Sequence, residues 1–191
     1  MAQRARAEVW ELFSREDVSS VDDARRLLAS TVATPMPDAA REVALEHFDQ
    51  LLPNPEWFHM RAVAAATEPD LDPRHYAAAL TWASAAHQLA PDRYSFLLTV
   101  SVLQYRLGKY REAMSSLETV QELTAGRDAA VWLAQALVQA RLGEVSDARA
   151  SYAKARELID PKPDQERWIA APAITPALLG ECAQGIAGSP Q

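Results

Sequence analysis

The chain has 191 residues, 49% of them hydrophobic and 24% charged, with a formal net charge of −7 and one cysteine. That is ordinary for a soluble globular protein of one domain or one short repeat array, and a lone cysteine excludes an intramolecular disulfide. The 19 cations, 16 of them arginines, are scattered along the chain, which argues against the local basic stripe that a phosphate backbone requires.

The N-terminal stretch "MAQRARAEVWELFSRED" is charged throughout and has no signal-peptide core. It predicts a first helix over residues 4–15, with Val9, Leu12 and Phe13 at helical spacing and Trp10 beside them. Ser20, with Asp23 three residues on, predicts a capped start for "VDDARRLLAS". "TPMP" interrupts, because proline cannot continue a helix interior. One longer helix, "DAAREVALEHFDQLL", follows, with Val43, Ala44, Phe48 and Leu51 expected on one face and "PNP" at its end.

From Trp57 the pattern becomes regular. "WFHMRAVAAAT" and "HYAAALTWASAAHQLAP" form a helix pair across "EPDLDPRH", where Asp72 is the expected cap and Pro73 the first helical residue. "RYSFLLTVSVLQYRLG" pairs with "REAMSSLETVQEL", and "DAAVWLAQALVQARLG" with "SDARASYAKARELI". Glycines 108, 126 and 143 and prolines 91 and 161 fall at the helix ends. Arg106-Leu107-Gly108 returns as Arg141-Leu142-Gly143, a step of 143 − 108 = 35 residues. Ala79, Ala113 and Ala148 recur at steps of 34 and 35, where a small side chain lets two helix backbones approach.

On these residues the chain resembles the tetratricopeptide repeats, helix-turn-helix units of about 34 residues. In the last copy Trp132, Ala136, Gly143, Ala148 and Tyr152 stand at the motif positions; in the middle copy Leu97, Ser101, Gly108, Tyr110, Ala113 and Leu117 do. The first copy is degenerate, with Val63, Tyr76, Ala79 and Ala86 in place but Arg74 where glycine usually sits. The resemblance implies an all-α fold, a right-handed superhelical stack of antiparallel helix pairs (an α-solenoid) with extra N-terminal helices. The expected divisions are an N-terminal helical segment over 1–56, repeats over 57–160 (about 57–92, 93–127 and 128–160), and a C-terminal capping helix and tail over 161–191. The order of elements also looks like the tetratricopeptide-like tails of bacterial serine/threonine kinases and WD-repeat proteins. That implies a cytoplasmic accessory or scaffold region, without kinase activity, since no Gly-rich loop, "VAIK", "HRD" or "DFG" stretch is present.

No catalytic constellation is legible. His47, His59, His75 and His87 form no i, i+4 ligand pair, there is no HExxH, CxxC or Walker loop, and Cys182 has no histidine nearby in sequence. Catalytic residues, metal and cofactor are therefore expected to be none. No run of about 18 apolar residues suggests a membrane span. Trp82 and Trp132 are expected to pack in the core, whereas Trp10, Trp57 and Trp168 are candidates for an interface.

The resemblance turns Leu98, Val102, Tyr105 and Arg106 of the middle repeat, and Leu133, Leu137 and Arg141 of the last, toward a concave groove. An apolar groove of this kind receives an apolar segment or helix of a protein partner. Alternatively, the chain's own N-terminal helices fill it, and the leucines are core. The leading expectation is a non-catalytic protein-interaction module. The alternatives are an RNA-binding helical repeat, against which the negative charge argues, and a small helical enzyme whose residues nothing nominates.

Overall fold

The computed structural model describes residues 9–13, 15, 18, 20–30, 37–52, 54–160 and 174–186. Among them there are ten helices and no strand: α1 (Val21–Ala29), α2 (Asp38–Glu46), α3 (Phe48–Leu51), α4 (Pro55–Ala66), α5 (Pro73–Leu89), α6 (Tyr94–Arg106), α7 (Tyr110–Thr124), α8 (Ala129–Leu142), α9 (Val145–Ile159) and α10 (Thr175–Gly185). Residues 9–12 are helical as well. None of these helices is long and apolar enough to cross a membrane.

The caps explain where the helices begin. Ser20 Oγ accepts from the Asp23 amide at 3.1 Å, as its sequence position predicts. Asp72 accepts from Arg74 N at 2.8 Å with Pro73 in the first turn, and Asn54 and Asp128 cap α4 and α8 in the same way. The single helix expected from Asp38 to Leu52 is divided at His47, which leaves helical geometry at φ −109° and ψ 21°. Its buried face runs through Arg41, Ala44 and Phe48, at spacings of three and four. Val43 lies one residue off that line and is 40% exposed, contrary to the expected face.

The ends of the helices carry the internal repeat. At the end of α6, Gly108 takes φ +73°, its amide donates to Tyr105 O, and Lys109 N donates to Gln104 O at 2.9 Å. At the end of α8, Gly143 takes φ +84°, its amide donates to Ala140 O, and Glu144 N donates to Gln139 O at 2.9 Å. These are the same pair of bonds around a left-handed residue, and they close the last carbonyls of both helices. The next helix is tied back in the same register. Ser116 Oγ donates to Gln104 Oε1 at 3.0 Å, and Ser151 Oγ to Gln139 Oε1 at 2.7 Å.

The first pair ends differently. No left-handed residue follows α4; the Thr67 hydroxyl bonds Val63 O and Ala64 O, and the Arg106 guanidinium reaches Ala66 O at 3.1 Å. The irregular loop is pinned by the Tyr76 hydroxyl, which donates to Glu68 O and accepts from Leu71 N.

Consecutive helices from α4 to α9 pack on one another, and α4, α6 and α8 also touch in series, so the first helices of the three pairs lie side by side. Two apolar clusters result. The larger runs through α4 to α10, and the smaller joins the N-terminal segments to Phe58, Ala85, Ala86 and Phe96. Trp82 belongs to both, and its indole donates to Phe13 O at 2.9 Å. Thr81 Oγ1 donates to Val18 O and the tilted rings of Trp10 and Trp57 meet at 5.1 Å, so the N-terminal segments pack on the first pair. Trp132 packs partly buried, its indole donating to Gly126 O, while Trp168 lies outside the described residues.

Ala79, Ala113 and Ala148 are buried to within 1% of full burial. Ala113→Leu and Ala148→Leu should each destabilise by about 1–3 kcal/mol, because added methylenes overpack a close crossing. Denaturant midpoints equal to that of the wild type would place these alanines away from the crossings.

Candidate functional site

The residues nominated from the sequence lie on α6 and α8, the first helices of the second and third pairs. Leu98, Val102 and Leu133 are within 1% of full burial, and Leu137 and Tyr105 are nearly so. Arg106 is buried as well, whereas Arg141 is exposed. The apolar four are therefore not open to solvent. Nor do the N-terminal helices cover them, because those helices pack in the other cluster. α10 packs on α8, and Arg106 of α6 reaches its Glu181. Its Ile174, Leu178, Cys182 and Ile186, four residues apart, join the same cluster as Leu98, Val102, Leu133 and Leu137.

Arg106 is the centre of the arrangement. Nη1 donates to Glu181 Oε2 at 2.6 Å and Nη2 to Glu181 Oε1 at 2.5 Å, a bidentate pair of α6 with α10. Nε and Nη2 also donate to Ala66 O, so one guanidinium closes the end of α4 and clasps α10. Burial opposes its charge, and the hydrogen bond and charge of Glu181 overcome that, holding its pKa above the ordinary value. Beside it, burial raises the Tyr105 phenol, partly offset by the neighbouring Arg141.

Arg141 stands 141 − 106 = 35 residues after Arg106 and has a different task. Its predecessor was drawn to the open carbonyls of α4. The end of α6 is closed by its own glycine turn, so Arg141 is left to Tyr105 and solvent. Between these side chains and α10 lies a cavity of about 430 Å³, lined by Tyr105, Leu137, Arg141, Glu181, Gln184 and Ile186.

Cys182 faces inward, with Sγ 3.5 Å from Leu133 O. Burial, and then the charge of Glu181, push its pKa up to about 12, so the thiol is the inert kind. The histidines are divided. His47 and His75 are exposed, while His59 and His87 are half-buried, and burial lowers both their pKa values. His59 Nε2 bonds Thr99 Oγ1 at 3.0 Å. Among the described residues no group of three or more His, Cys, Asp or Glu is placed to hold a metal ion.

Sequence reasoning missed Glu181 and the seat of α10. The signal was present as the four-residue spacing from Ile174 to Ile186, with one carboxylate beside it. Comparisons of the chain with family models, with curated proteins and with solved structures give no match.

The two arginines in repeat register should respond differently to loss. Arg106→Ala removes the pair with Glu181 and leaves the Ala66 carbonyl without the guanidinium, and should cost about 1–3 kcal/mol. Arg141→Ala should stay within about 0.5 kcal/mol of wild type, as an exposed change does. Equal losses in thermal or urea melts would contradict the assignment of their roles.

Proposed function

We propose that the chain is a non-catalytic, tetratricopeptide-like helical-repeat module that binds a protein partner through the face of its first helices. In this reading α4 to α9 are three repeats, the face carrying Leu98, Val102, Tyr105, Arg106, Leu133, Leu137 and Arg141 is the concave groove, and the N-terminal segments cap the first repeat. The observation that carries the reading is the recurrence of one turn and one Gln–Ser bond at a single step. The Gly108 and Gly143 turns, and the Gln104–Ser116 and Gln139–Ser151 bonds, are each 35 residues apart (143 − 108, 139 − 104 and 151 − 116). A stack built this way exists to present a continuous face, and here that face already accepts a helix. By the wider resemblance, the module serves as an accessory region of a bacterial signalling protein.

The test uses Arg141, exposed and beside the cavity. Immobilised wild-type chain and the Arg141→Glu variant are compared for the proteins they retain, and each retained protein is then titrated against both. A direct partner should lose about tenfold or more in affinity on the charge reversal. Identical affinities for both chains, or retention of single-stranded RNA in place of protein, would contradict the proposal.

A further inference from the structure

The position of α10 breaks the pattern of the elements before it. α6 packs on both members of the preceding pair, α4 and α5, and α8 packs on both α6 and α7. A helix continuing the series would pack on both α8 and α9. Instead α10 packs on α8 and not, to any comparable extent, on α9, and its Glu181 reaches back to Arg106 on α6.

The end of the series bears this out. Leu107 and Tyr110 are partly buried against the core, whereas their counterparts 35 residues on (142 − 107 and 145 − 110), Leu142 and Val145, are 37% and 53% exposed. Among the described residues no helix packs at that place in the way the series would continue. α10 lies on the face of the first helices, where the proposed function puts a ligand.

The contacts of α10 define what that seat recognises. Four side chains at four-residue spacing enter the apolar cluster, and one carboxylate beside them meets a buried guanidinium in bidentate geometry. The guanidinium also donates to Ala66 O, so α4 holds it as well as the carboxylate.

We infer that α10 is a ligand held in cis: it occupies a helix-binding seat on α8 and α6, and an external amphipathic helix with apolar side chains at four-residue spacing and an adjacent carboxylate competes with it for that seat. This inference rests on the binding-module reading and adds the chemistry of the partner and the means by which the seat is kept closed. Arg106 selects for the carboxylate. The cavity beside Arg141 gives a partner helix room for a larger or more acidic side chain than Gln184 supplies. A helix that meets both arginines outcompetes one that meets Arg106 alone.

Two full-length variants test it. Glu181→Arg turns the clasp into a repulsion between α10 and Arg106, and Leu178→Asp removes one apolar anchor without touching the ion pair. The readouts are alkylation of Cys182, the only cysteine, the thermal melt followed by circular dichroism, and binding of a labelled synthetic peptide of residues 174–186 carrying C182S. In both variants Cys182 should alkylate at least about tenfold faster than in wild type, with the main cooperative melt kept, because the seat opens while the repeats stay folded. The peptide, which still carries its glutamate, should bind Glu181→Arg at least about tenfold more tightly than it binds wild type.

Two results would overturn the inference. If Cys182 becomes reactive only as the whole helical signal is lost, α10 is an integral part of the core. The inference then falls while the binding-module reading stands on its other surfaces. If the thiol opens and the repeats stay folded, yet the peptide binds neither variant, the seat does not accept a helix. The inference and the groove reading then fall together.

Discussion

Where a helix closes its own last carbonyls in a tight turn, one residue takes a left-handed backbone conformation, which glycine adopts readily. Gly108 and Gly143 do this, at φ +73° and +84°, and no heavy atom lies within 4 Å of where a Cβ would stand at either. Glycine is thus required there by the backbone and not by crowding. Once the left-handed residue is set, the two closing bonds fix the direction of the returning helix. The register that brings Ser116 to Gln104 and Ser151 to Gln139 follows, as does the burial of Ala113 and Ala148. The first pair lacks such a residue, and the consequences reach across the molecule. Its open carbonyls draw in Arg106, and Arg106 in turn fixes Glu181 of α10.

The core is divided to match. Around the repeated helices the buried apolar side chains are mostly aliphatic or small, and they pack a series of neighbouring helices. Around the N-terminal segments aromatic rings are more frequent, with Phe13, Phe48, Phe58 and Phe96 all buried. Phe13 meets Phe58 edge-on at 4.8 Å, Trp10 meets Trp57, and Arg61 lies over both Trp57 and Trp82. Aromatic pairs of this kind favour specific geometries beyond the area they bury. They anchor the N-terminal segments to the first pair, away from α8. That leaves the seat on α8 to α10, whose association depends on four apolar side chains and one part-buried ion pair. A buried ion pair stabilises little over apolar packing and costs heavily when one partner is lost. It therefore suits a contact that discriminates between occupants.

The helices were legible because caps and turns act over a few residues. Ser20, Asp72 and Pro73 did what their positions predict, and the 35-residue step was visible as a repeated "RLG". The division of the long helix at His47 was not legible, since no proline or glycine marks it. The candidate face was found from Leu98, Val102, Leu133 and Leu137, but its occupant was not. Which of two flanking apolar segments covers a given face depends on contacts separated by many residues, such as Arg106 with Glu181, 75 positions apart. Periodicity reports that a segment has an apolar side; it does not report what that side meets. The same limit hid the different duties of Arg106 and Arg141, which depend on whether the preceding helix closes its own carbonyls.

The central claim is that α10 is a separable occupant of a face built by the repeated helices. Native-state hydrogen exchange in rising, sub-transition urea measures this for the wild-type chain. The account predicts that amides in α10, at Leu178 and Cys182, exchange through a local opening with little dependence on denaturant. Amides at Val102 and Val138, in α6 and α8, should exchange only through the global opening, with its full dependence. A single shared opening for all four, at the same free energy and the same slope, would contradict it and make α10 one unit with the core.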